Sequence, residues 1–455
     1  MLSHPGLRRQ AYRAAPNLWQ QPSRGLAAPA SGSFQYATAE VNGVKTASRD
    51  IPGPVSSLSL VSQAGTRFQP LPGLAEGLER YAFKSTERRS TLRIQRESEL
   101  LGSSLQASRS RESVVIGAKF LRDDLPYFVE LLAEVASMTK YQTHVFHEEV
   151  YPLMEMALKK HLGNPVQLAT NSAHGLAFHR GLGDPLQMST SMPMKKYLDA
   201  DSIAEYAQSA YTKSSFALVA NGVSQEELSK WVGEFFNDIK ASPSTPLQTV
   251  QTKYFGGEER HAHASGNALV MAFPGSSSPT GAFFKPEVSV LAALLGGQSS
   301  IKWSPGFSLL SRSTQAAPNM FIDSNSLIYS DAGLLTVTMS GSASDISMTA
   351  PKVVETLKSV AENITEEDFR KAKALAKFKE LEFGEETQAG MELTGRGLLQ
   401  SGKPYQIDEV AKAVDGVTMA KVKQIAKEAV QHKASVSAVG DLHILPFAEE
   451  LGLKV

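Results

Sequence analysis

The sequence predicts an α+β fold of two homologous repeats, a unit of about 200 residues that duplicated and diverged. Three observations carry this. Short alternating apolar segments stand among longer stretches with helical apolar stripes. The order of these elements in the first half recurs in the second. The segments that close the halves, Ser215-Phe216-Ala217-Leu218-Val219-Ala220-Asn221-Gly222 and Ala434-Ser435-Val436-Ser437-Ala438-Val439-Gly440-Asp441, read alike. Between 241 and 258 the composition turns to Ser, Pro, Thr and Gln around Gly256-Gly257, as in a linker. The chain therefore divides into a leader over residues 1–36, a first repeat over 37–240, the linker over 241–258 and a second repeat over 259–455.

The leader differs from the rest in kind. It carries Arg8, Arg9, Arg13 and Arg24 among Ala, Ser and Gln, and the first acid of the chain is Glu40. Arginine-rich, acid-poor sequence of this sort is that of a mitochondrial transit peptide. Arg24-Gly25-Leu26-Ala27 resembles a matrix processing site, and removal is expected between there and about Phe34.

The first repeat opens on an alternating strand over 57–62 that ends at Ala64-Gly65. Pro70 and Pro72 announce a helix around Glu76–Arg80, and a second helix runs over 88–101 to Gly102. Residues 104–109 and 112–120 form a hairpin centred on Val114-Val115-Ile116. Asp123-Asp124 starts a helix whose stripe is Leu125, Phe128, Leu131, Leu132, Val135 and Met138. Helices follow over 143–162, 168–178 and 201–211, then a strand over 216–220 and a helix over 224–239. In the second repeat a strand over 268–273 leads to a helix over 284–295. A hairpin spans 321–329 and 333–340, turning at Ser330-Asp331-Ala332. Helices over 345–361 and 368–383, two more helices, and a strand over 434–439 complete it.

Composition removes several function classes. Lys and Arg number 46 against 46 Asp and Glu, so nothing favours nucleic acid or an anionic membrane as partner. The absence of cysteine excludes disulfides, thiolate catalysis, Cys-ligated zinc and iron–sulfur clusters. No run is long and apolar enough for a membrane span; the longest uncharged stretch, 264–284, is broken by Pro274 and Pro279.

The candidate site lies in Gly73-Leu74-Ala75-Glu76-Gly77-Leu78-Glu79-Arg80-Tyr81-Ala82-Phe83. In an H-x-x-E-H helix two imidazoles at i and i+4 share a face and a Zn²⁺, and the glutamate at i+3 is the general base. Here those two positions hold Glu76 and Arg80, and Glu79 keeps the third. A guanidinium does not deprotonate and cannot ligate zinc. An acid four residues before a base instead supports an ion pair on the helix. The same pattern is also that of an ordinary solvated helix face. His144-x-x-His147-Glu148-Glu149 has metal-like spacing but no third ligand, and its plainer reading is a polar helix face; His261-Ala262-His263 follows the linker and reads as exposed. No G-x-S-x-G elbow or phosphate-binding glycine motif is present.

With these residues goes a resemblance. Ala64-Gly65-Thr66-Arg67-Phe68, the Gly73 stretch through Lys84-Ser85-Thr86, Ser108-Arg109-Ser110-Arg111-Glu112 and Leu121-Arg122-Asp123-Asp124-Leu125-Pro126 are similar to segments of the pitrilysin-type metallopeptidases. The resemblance covers essentially everything after residue 40. It is nearest to the branch holding the mitochondrial processing peptidase and the core proteins of ubiquinol–cytochrome c reductase. Tyr254-Phe255-Gly256-Gly257-Glu258, Tyr329-Ser330-Asp331-Ala332-Gly333 and Gly440-Asp441-Leu442-His443 resemble the core-protein side of it.

The resemblance implies two sandwiches of mostly antiparallel sheet with helices packed on it, forming a clam-shaped pair. It implies that Glu155 stands where active members have their third zinc ligand, so that Glu76, Glu79, Arg80 and Glu155 mark a degenerate zinc site with no metal, no cofactor and no catalytic residue. It places a degenerate glycine-rich loop at Gly296-Gly297, most of whose glycines are absent here. The function it implies is structural: a proteolytically inactive core subunit supporting assembly and stability of the reductase. Such a subunit is peripheral, on the matrix side of the mitochondrial inner membrane, paired with core protein 1 and touching other subunits, with a presequence peptide as a further candidate for the cavity. The alternative it implies is the non-zinc, presequence-binding subunit of a processing peptidase.

Overall fold

The computed structural model describes residues 35–188, 197–243, 247, 251–298, 306, 308–314, 317 and 319–455. The strands of the first half are β1 (Ala37–Val41), β2 (Val44–Arg49), β3 (Val55–Ser62), β4 (Ser104–Arg109), β5 (Val114–Leu121) and β6 (Phe216–Asn221). They form one sheet in the order β1-β2-β6-β3-β5-β4. Strands β7 (Gly257–Ala262), β8 (Asn267–Pro274), β9 (Phe321–Ile328), β10 (Gly333–Gly341) and β11 (Ser435–Gly440) form a second, in the order β7-β11-β8-β10-β9. Without β1 the two orders correspond strand for strand. Direction corresponds as well. Each five-strand set is antiparallel except for one parallel pair, β2 with β6 and β7 with β11. A parallel neighbour requires a long crossover, here the helical body of each repeat. The duplication is thus present in topology, and the two look-alike closing segments, β6 and β11, hold the same place in their sheets.

The helices are α1 (Leu74–Tyr81), α2 (Thr91–Leu100), α3 (Leu125–Met138), α4 (Tyr151–Leu162), α5 (Pro165–Phe178), α6 (Ala200–Ala210) and α7 (Gln225–Phe235) in the first half. In the second they are α8 (Pro286–Leu295), α9 (Leu309–Ser313), α10 (Ala343–Glu362), α11 (Glu366–Glu385), α12 (Thr387–Gln400), α13 (Ile407–Asp415) and α14 (Met419–Gln431). Alternation decides which side each strand residue faces. Leu58 and Leu60 of β3 enter a core with α1, α3, α6 and α7, in which Phe128 of α3 stacks on Phe120 of β5 at 4.3 Å. Val61 of β3 faces the other way, with Ala47, Val115, Ala217 and Val219, and there it meets Met391 and Leu398 of α12. The second sheet mirrors this. Leu269, Met271 and Phe273 of β8 pack under its own helices, whereas Ala268, Val270 and Ala272 lie under Ala169, Ala173 and Ala177 of α5. Each half therefore lends one helix to the other's sheet. The loan depends on small side chains: a Cβ at Gly395 of α12 would stand 2.6 Å from Val61 Cβ.

Several elements differ from expectation. The helix expected over 143–162 is interrupted by a π-helical turn, Phe146–Val150, directly before α4. Pro152 in the first turn of α4 has no N–H to bond the carbonyl four residues back, which favours such a break. Three helices rather than two follow α11. Strands β1 and β2 were not anticipated, although Asn42-Gly43, both at positive φ, is a standard tight hairpin turn. The region expected as linker is entered by β7 at Gly257, and it is docked before that: Phe255 N–H donates to Ala177 O (2.9 Å) and Tyr254 hydroxyl to Ala272 O (3.0 Å). The expected leader, residues 1–36, overlaps the fold by Tyr36. That residue is buried, its N–H donates to Gln406 Oε1 at 3.1 Å, and the Arg49 guanidinium lies 5.2 Å above its ring. Residues 1–34, which carry the rest of the leader, lie outside the described residues.

Candidate functional site

Helix α1 begins where Gly73, at φ 99°, turns the chain; a Cβ there would press on Leu198 and Met188. This turn lays α1 beside strand β4 and carries Glu76 wholly into the interior. Arg80, one turn on, reaches Glu76 at 3.9 Å and is about a third exposed, at 31%. The closer cation is Arg109 of β4, 3.2 Å from Glu76, which also pairs with Glu79 and donates through Nε to Leu186 O at 3.1 Å. Two carboxylates thus share the Arg109 guanidinium, and Arg80 stands at the outer side. Burial raises the Glu76 carboxyl above the usual range, against the downward pull of Arg109 and Arg80. Sequence spacing alone favoured Arg80 as the partner of Glu76. Arg109 was legible only as part of a motif, because a strand residue 33 positions away has no periodic relation to α1.

Among the described residues Glu155 forms no ion pair with Arg80 or Arg109. It lies on α4 one turn from Tyr151, whose hydroxyl is raised by burial and by the Glu155 carboxylate. The α4 side chain that approaches the start of α1 is Met154, with Cε 3.4 Å from a Cβ built at Gly73. Among the described residues no three His, Asp or Glu side chains converge as a metal site would require. At 144–149, the His147 ring packs edge-on to Phe146 and Glu149 pairs with Lys84 at 2.5 Å. His261 meets Glu259 at 3.0 Å, and His263 Nε2 lies 2.7 Å from Leu162 O. Gly296, at φ 65°, ends α8, and a Cβ at Gly297 would stand 2.6 Å from Ile322 O. Both glycines are needed by the local backbone; residues 299–305, the remainder of that loop, lie outside the described residues.

A larger polar centre joins the two halves. The turn between β4 and β5 presents Glu112, its side chain wholly buried, to the turn between β9 and β10. Glu112 accepts from Arg67 (2.8 Å), from Ser330 N–H (2.9 Å) and hydroxyl (2.5 Å), and from Arg396 of α12. Thr252 bonds Asp331 through its N–H (2.9 Å) and hydroxyl (3.0 Å). Beside it Arg111, itself buried, donates to Leu182 O (2.8 Å) and Asn171 Oδ1 (2.7 Å). Next to these, His174 Nε2 lies 2.8 Å from Tyr329 hydroxyl and Nδ1 lies 2.7 Å from Thr170 O. Equivalent hairpins of the two repeats thus meet turn to turn. Arg111 and Glu112 lie within the Ser108 motif, Tyr329, Ser330 and Asp331 within the Tyr329 motif and Arg67 within the Ala64 motif, whereas Arg396, Thr252, Asn171 and His174 fall in none; the sequence alone assigns none of them a role.

Comparison with known proteins agrees with this architecture. Residues 45–187 match the profile of insulinase (peptidase family M16), and residues 197–375 that of the peptidase M16 inactive domain. The chain is 48% identical, over the full length of both, to cytochrome b-c1 complex subunit 2, mitochondrial, of Neurospora crassa. It is 35% identical to the protein of the same description from Yarrowia lipolytica, over 94% of this chain and 100% of that one. A probable mitochondrial-processing peptidase subunit alpha-1 of Arabidopsis thaliana is similar at 26% identity, over 97% of this chain and 90% of that one. With duplicated sheets, exchanged helices and both halves matched, the chain belongs to peptidase family M16.

Proposed function

We propose that the chain is a proteolytically inactive core subunit of the mitochondrial cytochrome b-c1 complex, acting in assembly and stability of the complex. The observation that carries this is the 48% identity over the entire length to a subunit of that complex. The processing-peptidase relative stands much further off, at 26%. The site chemistry supports the same reading. In the proposal, Glu76, Glu79 and Arg80 are the remains of a zinc motif, and Arg109 occupies the interior as the counter-cation. A buried guanidinium between two carboxylates disfavours a divalent cation there and offers no group to activate water. Glu155 and the glycine pair Gly296-Gly297 belong to the same loss.

Among the described residues no helix is long and apolar enough to cross a membrane. The proposal therefore has the subunit held peripherally, on the matrix face of the inner membrane, by a partner core protein 1 and further subunits. It has the leader removed before Tyr36, which the fold uses. Depleting the chain in vivo tests this. The expected result is loss of assembled, haem-containing b-c1 complex, restored by re-expression of the full chain; unchanged complex levels would refute the proposal.

A further inference from the structure

At the start of α1, the first half and the segment entering β7 line a cavity of about 950 Å³. Small-molecule sites are typically about 300–1,000 Å³, mostly apolar, with a few placed polar groups. This cavity has that make-up. Phe68, Leu71 and Leu74 line it from the approach to α1, Phe178 from the end of α5, and Tyr206 from α6. Its rim is basic: His179, Arg180 and Lys253 are exposed there, with Glu205 as the acidic lining residue. The Arg67 guanidinium, also at the wall, is engaged by Glu112 and Asp331. Among the described residues neither Arg180 nor Lys253 has an ion-pair partner; Asp184, within electrostatic reach of Arg180, accepts from Gly181 N–H at 3.1 Å.

Two further features point to a ligand. Gln69 lines the cavity and is 8% exposed; its Oε1 accepts from Ala75 N–H at 3.1 Å, while its buried Nε2 has no acceptor among the described residues. Leaving a buried donor without an acceptor is costly, so such groups are rare unless something completes them. On the rim, His179 sits at φ 59° and stacks flat on Phe255, rings 4.0 Å apart and 8° from parallel. A non-glycine residue held in that region is strained, and strain of this kind gathers at ligand clamps.

We propose that this cavity binds an amphipathic anion: a hydrocarbon body among Phe68, Phe178 and Tyr206, with a carboxylate or phosphate head at Arg180 and Lys253. Free fatty acids and anionic phospholipids share this chemistry. Calorimetric titration of the full chain with decanoate, dihexanoyl phosphatidic acid and decyltrimethylammonium, each below its micelle-forming concentration, tests it. Saturable binding of about one anion per chain is expected, with the cation at least about tenfold weaker. Binding of decanoate alone identifies the free acid, and binding of the phosphatidic acid alone the lipid. The double variant Arg180→Glu, Lys253→Glu should weaken anion binding at least about tenfold without moving the melting temperature, since both side chains are exposed. Ser209→Trp, which places a ring in the cavity, should abolish binding with the basic rim intact. No saturable binding, equal binding of the cation, or binding indifferent to the double variant would overturn the proposal.

Discussion

Arg67 of the first half and Asp331 of the second are joined by two parallel hydrogen bonds, Nη1 to Oδ1 at 2.7 Å and Nη2 to Oδ2 at 2.8 Å. Bidentate pairing of this kind fixes orientation as well as distance. With Glu112 shared between Arg67 and Arg396, it makes a four-residue charge lattice to which each half contributes two members. Removing Glu112 leaves the nearly buried Arg396 guanidinium without its carboxylate and Arg67 with one carboxylate instead of two. Glu112→Ala should therefore destabilise the fold by about 3–5 kcal/mol, read as a lower denaturant midpoint. A midpoint within error of the parent would show that the lattice relaxes without loss.

The lattice has a pH signature. Despite burial, Arg67 and Thr252 hold the Asp331 carboxyl below its ordinary value of 3.8. Because the unfolded chain takes up that proton first, the contribution of Asp331 is complete above that value and is lost as pH falls through the folded one. His174 adds an earlier loss. Burial first, then the Arg111 charge, depress its pKa from 6.5 to about 3. The folded state keeps a neutral ring while the unfolded state protonates, so stability falls as pH drops from 6.5 towards 3. The slope for this single site is about 1.4 kcal/mol per pH unit. His174→Gln should flatten that part of a stability–pH curve; an unchanged slope would assign it elsewhere.

The two cations near Glu76 should differ in weight. Arg80 is partly exposed and 3.9 Å away, so Arg80→Ala should cost under about 1 kcal/mol. Arg109 is nearly buried and holds two carboxylates, so Arg109→Ala should cost about 3 kcal/mol or more. Thermal denaturation of the two variants ranks them, and a larger effect at Arg80 would reverse the assignment.

The exchanged helices give a packing test. With 2.6 Å between a Gly395 Cβ and Val61, Gly395→Val should force α12 off the first sheet. Overpacking of this size costs about 1–3 kcal/mol. Limited proteolysis should then find α12 before it finds α10; equal protection would mean the sheet gives way instead.

What was legible in the sequence followed from periodicity. Strands β3, β5, β6, β8, β10 and β11 are apolar runs with a buried pattern, and α3 carries a full helical stripe. What was missed is polar in sequence. Strand β1 is a largely exposed edge, β2 (VKTASR) is buried in spite of its polar residues, and the half-buried edge β7 (GEERHA) reads as a polar linker until β11 pairs with it. At the site, the i, i+4 relation of Glu76 and Arg80 was visible because a helix makes it local. Arg109, and the contact of Glu112 with Ser330, arise from tertiary folding that places strand turns together, and spacing along the chain does not encode them.

The most direct test of the proposed role is where the chain resides when mitochondria are solubilised in mild detergent and native complexes are separated. The proposal predicts that it migrates with haem absorbance and quinol-dependent cytochrome c reduction, in a particle that includes core protein 1. Migration as a small soluble heterodimer that cleaves presequences would contradict it and assign the chain to a processing peptidase.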